Sequence, residues 1–226
     1  MDCEKLQRKL DKNTSYRKRE ISNLSIQIQA TDGEIKDSLL RAAFTIIYAH
    51  FEGFSVEAIR LFLQHINFKE IPVKSLDYHL QTLHHTKKII DVKKSTKKRK
   101  FNELTTAILL EKNTIFKVEE KDKSIVSAES NLKFDVIEDL LFYLGITTEK
   151  FILLSDKQSN LSTKQEFIDR SILNVRNKIA HGENVKVSID EFEEVKSFIL
   201  DYMDTLSNYI MDISINETYK MPIKEV

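Results

Sequence analysis

The sequence predicts an all-α protein, and two features of its composition and one of its patterning support that prediction. Only 4 glycines and 2 prolines occur in 226 residues, so the chain has few of the breakers that strands joined by frequent turns require. Hydrophobic residues make up 41% of the chain, which is enough for a core. Apolar side chains recur at spacings of three and four over several long stretches. We therefore expect a bundle of four to five long antiparallel helices in a single domain spanning residues 1–226.

The first two predicted helices lie on either side of a break at Asp32 and Gly33. Residues 1–30 carry leucines and isoleucines at helical spacing, and the charged run SYRKRE is interpreted as the solvated face of that helix. Residues 37–66 are the most apolar helical stretch and predict the central helix. Gly53 lies inside it, which costs stability unless another backbone approaches closely there.

The middle of the chain, residues 87–130, is predicted to be a basic and polar insertion. Lys87 to Lys100 contains eight basic residues and one acid, a run that can neutralise phosphates or form a solvated loop, and we favour the loop. Residues 112–130 lack helical spacing and predict a short β-rich excursion or a mobile connection. The nearby histidines at positions 79, 84 and 85 do not share one helix face, so no metal site is expected from them.

Helical spacing returns in the last third of the chain, with recognisable start and stop signals. Gly145 can end one helix in the left-handed conformation. Ser188 and Glu191 fit a capping box at the start of the last helix. The helix between them begins at Ser162 or the next residue and is expected to stop at Gly182.

Composition limits the classes of function. The chain has 35 basic and 35 acidic residues, so no global field attracts it to nucleic acid or membrane, and attraction requires local clusters. Cys3 is the only cysteine, which excludes an intramolecular disulfide and a cysteine-based zinc site. No apolar run approaches the roughly 20 residues that span a bilayer, and the charged N-terminus does not resemble a signal peptide. We expect a soluble, cytoplasmic protein without a cofactor.

The candidate catalytic residues lie in SILNVRNKIAHGE, residues 171–183. Arg176 and His181 bracket four residues, and Asn177 follows the arginine directly. RNA carries its own nucleophile, the 2′-OH, and imidazole titrates near the pH at which that proton must move. Arginine is always charged and can hold two phosphate oxygens. Asn177 can donate to a phosphate oxygen or orient His181. Whether His181 acts as base, acid or positive charge stays open.

The spacing of this pair is a weak signal by itself. Arg60 and His65 have the same spacing, but no polar residue follows that arginine and no helix stop follows that histidine, so we interpret them as packing residues of the central helix. The non-catalytic alternative for Arg176 and His181 is that they only cap the carbonyl groups of a helix end.

Four stretches carry a resemblance to a known family. RNKIAHGE resembles the signature of the HEPN-domain ribonucleases. YAHFEGF (48–54), SNLKFDVIEDLLFYLGI (130–146) and FIDRSILNVRNKIAHGE (167–183) resemble the MAE-type stand-alone HEPN proteins of bacterial conflict systems. The resemblance covers most of residues 35–212 and is loosest over 87–125. It implies a HEPN-like bundle and a metal-independent endoribonuclease, usually dimeric, with paired Arg–His sites facing a shared cleft.

The resemblance also suggests supporting residues and partners. Glu52 would be a carboxylate that pairs with Arg176 or His181, with a local surface salt bridge as the alternative. His50 lies on the same helix, either near the site or bonded locally beside the core, and Lys178 is either a substrate contact or a solvated lysine. The implied partners are RNA (tRNA or mRNA), a second copy of the chain and an antitoxin or defence-system protein. Two other readings stay open: a catalytically silent HEPN module that binds RNA or nucleotide or scaffolds a partner, and an antitoxin or adaptor that only dimerises.

Overall fold

The structure, a computed structural model, describes residues 1–110, 113–128, 131–155 and 161–222. These residues form helices and contain no strand, only two isolated β-bridges, Pro72 to Ile115 and Leu76 to Lys220. The all-α prediction is therefore confirmed. The helices are α1 (Cys3–Gln29), α2 (Gly33–Phe68), α3 (Tyr78–Lys93), α4 (Lys98–Leu110), α5 (Phe134–Phe142), α6 (Thr148–Ser155), α7 (Leu161–Glu166), α8 (Val175–Ala180) and α9 (Ile189–Ile215), with a 3₁₀ turn at Val73–Ser75 and a π-helix at Phe167–Asn174 that joins α7 to α8.

The core lies between the three longest helices. The central helix α2 packs against both α1 and α9, and α1 also packs against α9. Large side chains of α2 with almost no exposed surface supply much of the apolar contact that stabilises the bundle. No helix in the described part of the chain is long and apolar enough to cross a bilayer. The fully buried aromatic residues of α2 are Phe44, Tyr48, Phe51, Phe54 and Phe62.

Local start and stop signals agree with the structure. The Ser188 side chain accepts from the backbone N–H of Glu191, whose carboxylate accepts from the backbone N–H of Ser188, so the predicted capping box at the start of α9 is confirmed. Gly145 follows α5 with φ +69°, the left-handed conformation predicted for it. The Thr147 hydroxyl accepts from the backbone N–H of Lys150 at 3.3 Å at the start of α6.

An aromatic cluster attaches the π-helix to the core. The Phe51 ring meets the Tyr202 ring edge-on at 4.9 Å, and the Phe198 ring lies 6.0 Å from Phe51. Phe167, the first residue of the π-helix, packs edge-on against Phe198 at 5.3 Å. Such pairs contribute about 0.5–1.5 kcal/mol each beyond their buried area. The segment that leads into α8 is thus held against α2 and α9.

The interpretation of the run SYRKRE as fully solvated is wrong at Arg17. This side chain is buried, and its guanidinium donates to Asn13 Oδ1 at 3.0 Å and to the His50 carbonyl at 3.2 Å. A Cβ on Gly53 would lie 3.1 Å from both terminal nitrogens of that guanidinium. The close approach expected at Gly53 is therefore made by an arginine side chain rather than by another backbone.

The loop favoured for residues 87–100 is also wrong, because α3 and α4 form a helical hairpin there. Phe101, Leu104 and Ile108 recur at helical spacing directly after the basic run, and Ala107 is buried. Helix α4 packs chiefly on α3. The basic residues dominate the composition of this stretch and conceal the helical spacing of the apolar residues that follow, although Phe101 and Ile108 stay 47% and 46% exposed.

Residues 113–128 are neither helical nor part of a sheet, but they pack along α2. Asn67 exchanges two hydrogen bonds with the backbone of Val118, at 2.8 and 3.0 Å. Seven residues earlier on α2, Arg60 donates to the carbonyls of Glu120 and Val126 at 3.2 and 3.3 Å. The segment therefore runs from the C-terminal end of α2 towards its middle, and the β-rich excursion is limited to one isolated bridge.

Candidate active site at the end of α8

The candidate site is built where a helix stops. His181 is the C-cap of α8, and Gly182 follows with φ +80°. The N–H of Gly182 bonds to the Ile179 carbonyl at 3.0 Å, and the N–H of Glu183 bonds to the Lys178 carbonyl at 2.9 Å. This pair of bonds is the Schellman motif, in which glycine adopts the left-handed conformation. The predicted stop at Gly182 is confirmed, and it turns the chain away directly after His181.

Arg176 is held on three sides. Its Nη2 lies 3.5 Å from Glu52 Oε2, and its Nη1 donates to Asn177 Oδ1 at 2.8 Å. The centre of the guanidinium lies 4.0 Å from the centroid of the Tyr48 ring, within cation–π range. The side chain remains 19% exposed, so part of it can still meet a ligand. The predicted pairing of Glu52 with Arg176 is present.

Tyr48 was not singled out by sequence reasoning. Its hydroxyl accepts from the backbone N–H of Leu132 at 2.7 Å and is also hydrogen-bonded to Glu52. Burial raises the pKa of Tyr48 to about 12, so the hydroxyl stays protonated and can donate to Glu52. The available signal was its position four residues before Glu52, which places the two on one face of α2. Tyr48 therefore fixes both Glu52 and Arg176.

His181 and Lys178 are exposed, and neither side chain makes a hydrogen bond or ion pair within the described residues. Arg176 and His181 are five positions apart, which corresponds to about 7.5 Å along a helix axis. No hydrogen bond joins the two side chains in the part of the chain that the structure describes. The imidazole is thus accessible to a ligand, whereas the arginine is partly enclosed.

His50 does not join this group. Its Nδ1 lies 3.2 Å from Arg17 Nη1, and its Nε2 lies 3.0 Å from Glu20 Oε2, so both ring nitrogens meet α1. Burial and, secondly, the charge of Arg17 lower the pKa of His50, which favours the neutral ring at pH 7. The structure therefore supports the alternative for His50, local bonding beside the core, and not a place beside Arg176.

A π-helix immediately precedes the candidate residues. It spans Phe167–Asn174, and within it Asp169 Oδ1 accepts from the backbone N–H of Phe134 at 3.0 Å, which ties the start of α5 to this segment. Short π segments inside α-helices often occur at functional sites. The sequence interpretation assumed a regular α-helix here, and we find no sequence signal that distinguishes the two.

The second Arg–His pair has packing contacts, as interpreted. Arg60 bonds to backbone carbonyls of the segment along α2, and His65 is fully buried with its Nδ1 2.8 Å from the Met1 carbonyl. Among the residues that the structure describes, no group of three or more histidines, cysteines or acids is arranged to hold a metal ion.

A family model described as RiboL-PSP-HEPN matches residues 12–212. The match covers all the contacts of Arg176 described above and confirms the HEPN resemblance. It supports an RNase or RNA-binding function, while the MAE-type branch stays a prediction. No curated protein and no solved structure matches the chain.

Proposed function

We propose that this chain, which belongs to the RiboL-PSP-HEPN family, is a metal-independent endoribonuclease that uses Arg176 and His181. The observation that carries the proposal is a guanidinium fixed by Glu52, Tyr48 and its neighbouring asparagine, on the same helix end as an exposed imidazole. A fixed cation and an accessible proton carrier are the two groups that RNA cleavage by its own 2′-OH requires.

The proposed reaction is an internal transfer of the phosphodiester. A base removes the proton of the 2′-OH, and O2′ attacks phosphorus to form a phosphorane. The bond from phosphorus to O5′ then breaks, and O5′ takes up a proton. The products are a 2′,3′-cyclic phosphate and a 5′-OH end, and no water or metal is consumed. His181 is the group proposed for proton transfer, as base or as acid.

Arg176 would stabilise the negative charge of the phosphorane. A guanidinium has five N–H donors, and the contacts to Asn177 and Glu52 occupy only part of them. The remaining donors lie on a group that cannot rotate freely, because the Tyr48 ring covers one of its faces. Such pre-organisation reduces the reorganisation needed in the transition state. The amide nitrogen of Asn177 and the exposed Lys178 are further proposed contacts to phosphate.

The wider biology of the proposal follows from the family resemblance. We propose a homodimer in which two Arg–His sites face one cleft, a cytoplasmic tRNA or mRNA substrate, and a role as a toxin or anti-phage effector with a restraining or recruiting partner protein. Induction of the wild-type chain should then arrest growth, and Arg176→Ala or His181→Ala should relieve the arrest. Equal growth of all three strains would contradict the toxin role.

The chemical test is cleavage of a tRNA transcript in the presence of EDTA, followed by analysis of the RNA ends. We expect cyclic phosphate and 5′-OH ends from the wild type, and a loss of about 10²–10³-fold with Arg176→Ala or His181→Ala, the range for removal of a group that stabilises the transition state. Arg170→Ala is the matched control. Arg170 is an exposed arginine of the π-helix that precedes α8, and it pairs with Glu166 rather than with a candidate site residue. Products with 3′-OH ends, or cleavage abolished by EDTA, would overturn the mechanism.

One observation favours a second candidate, a silent module that binds RNA without cutting it. No hydrogen bond joins Arg176 to His181 in the described chain, and the Arg176 side chain is only 19% exposed. That module would bind the transcript and leave it intact, and Arg176→Ala would weaken binding. The cleavage assay therefore separates the two candidates directly.

A further inference from the structure

We infer that the turn between α3 and α4 binds the phosphate backbone of the RNA that flanks the cleavage site, an inference that rests on the proposed function. Four lysines define this basic turn: Lys93, Lys94, Lys97 and Lys98. Its role would be to hold a long RNA while Arg176 and His181 act on one phosphodiester.

The lysines of the basic turn are exposed and have no protein partner. None of the four side chains makes a hydrogen bond or ion pair within the described residues. Other basic residues of the hairpin do: Lys87 lies 3.2 Å from an Asp122 carboxylate oxygen, and Lys100 lies 3.1 Å from Glu103. The hairpin thus neutralises part of its charge and leaves a cluster of four at its tip, on a chain whose net charge is zero.

The position of Lys97 and Lys98 disfavours a purely structural role for them, whereas Lys93 and Lys94 lie at the C-terminal end of α3, where the helix dipole favours cations. Lys98 is the first residue of α4, Arg99 and Lys100 complete the turn, and no acid occurs there. The N-terminal end of a helix carries a partial positive charge, which favours acids and disfavours cations. The last helix of this chain follows the rule, with Asp190 and Glu191 in its first turn. A first turn of basic residues is therefore unfavourable for the helix alone and becomes favourable when an anion binds beside it.

The contacts of α3 direct the basic turn towards the level of the candidate active site. The His84 Nδ1 lies 3.3 Å from the backbone nitrogen of Lys117, and Lys87 meets Asp122 further along both segments. That segment runs from the C-terminal end of α2 towards its middle. Helix α3 therefore advances in the same direction, towards the turn of α2 that carries Glu52. The inferred path of the RNA follows this direction, from the basic turn to the Arg–His pair.

The chemistry of the turn indicates backbone recognition rather than base recognition. Lysine ammonium groups on flexible stems are point charges that neutralise phosphates and release counterions, whatever the base sequence. No aromatic side chain lies between Lys93 and Lys98, and the nearest one in sequence is the exposed Phe101, three residues into α4. The expected ligand is a phosphate-rich RNA segment, and the cleavage position would be set elsewhere.

The test compares two substrates of different reach. In the quadruple variant K93Q/K94Q/K97Q/K98Q, kcat/KM for a tRNA transcript should fall by about 10- to 100-fold, because neutralised phosphates contribute strongly to affinity. Cleavage of a dinucleoside phosphate, which cannot reach from the active site to the turn, should stay unchanged. If both substrates lose activity equally, or neither does, the inference is wrong.

Binding provides a readout that survives failure of the proposed function. With His181→Ala as the background, the salt dependence of tRNA affinity should lose about three units of slope in log K against log salt when the four lysines are replaced. The matched control is K5Q/R8Q/K12Q/R19Q, which removes four exposed positive charges from α1. An equal loss in the control, or an unchanged slope in the turn variant, would overturn the inference whether or not the wild type cleaves RNA.

Stability and an alternative ligand complete the test. The quadruple variant should have about the same midpoint of urea denaturation as the wild type, because the gain from removing Lys97 and Lys98 at the start of α4 offsets the loss of Lys93 and Lys94 at the end of α3. A marked loss of stability would show that the lysines serve the fold and would contradict the inference. Tighter binding of the wild type to phosphatidylserine vesicles than to tRNA would also contradict it.

Discussion

Two arginines that contact α2 from different helices, Arg17 from α1 and Arg176 from α8, show how similar contacts can serve different purposes. Each guanidinium lies near a tyrosine ring, at 4.9 Å from Tyr16 for Arg17 and 4.0 Å from Tyr48 for Arg176. Arg17 is buried and bonds to uncharged groups, whereas Arg176 is partly exposed and pairs with Glu52. The buried arginine has its surroundings filled by protein, while the other keeps a face and several N–H donors for a ligand. The two arginines therefore differ in solvent exposure and in the charge of their partners, although the residue type is the same.

The largest expected contrast is between loss of stability at Arg17 and loss of activity at Arg176. Arg17→Ala should lower the free energy of unfolding by about 2–4 kcal/mol, because it opens a cavity and leaves Asn13 and His50 without their donor. Cleavage per folded molecule should not change. Arg176→Ala should show the reverse pattern. Urea denaturation and the cleavage assay on both variants test this contrast. A loss of less than about 0.5 kcal/mol in the free energy of unfolding of Arg17→Ala would contradict it.

Gly53 offers a sharper test, because the sign of its effect depends on Arg17. In the wild type, Gly53→Ala should destabilise by about 1 kcal/mol or more, since the new Cβ would lie 3.1 Å from the guanidinium. In the Arg17→Ala background the same change should stabilise by about 1 kcal/mol, the helix preference of alanine over glycine. A double-mutant cycle by urea denaturation should therefore give a coupling of about 2 kcal/mol. Additive effects would show that the close approach has no energetic consequence.

These two arginines also mark what sequence could and could not predict. Periodicity, the capping box at Ser188 and the stop at Gly182 are local features, and the structure agrees with them. The burial of Arg17 depends on a glycine 36 positions later on another helix, so no local pattern could reveal it. The charged run SYRKRE was therefore predicted to be the solvated face of its helix.

For the candidate site, local sequence patterns predicted the residues but not the residues that contact them. The spacing of Arg176 and His181 was visible, and the contact with Glu52, 124 positions away, came only from the family resemblance. Tyr48 went unnoticed because aromatic residues in an apolar helix are usually core. The π-helix before α8 packs against α9 through Phe167 and Phe198, and a regular helical period does not distinguish it from an α-helix.

Glu52 and Glu20 extend the comparison to the carboxylates. Glu52→Gln should reduce cleavage by about tenfold, because Arg176 loses a charged partner that orients it, as loss of an orienting partner does at other sites. Stability should change little, since a partly exposed pair at 3.5 Å is weak. Glu20→Gln is the matched control, because Glu20 lies against His50 on the α1 side of α2. Equal activity of Glu52→Gln and the wild type would remove Glu52 from the site.

The smallest effect is the pH dependence of stability on the Arg17 side. Burial, and then the charge of Arg17, lower the pKa of His50 below the ordinary 6.5, and burial lowers that of His65. Below pH 6.5 the unfolded chain binds protons that the folded chain does not, so stability falls as the pH falls from 6.5 to the lowered folded value. Each histidine contributes at most about 1.4 kcal/mol per pH unit in that window. His50→Gln should flatten the dependence measured by urea denaturation between pH 7 and 5, and Arg17→Ala should flatten it less, because burial is the larger cause. An unchanged slope in His50→Gln would mean that His50 takes up its proton as readily in the folded chain as in the unfolded chain, so that folding does not lower its pKa.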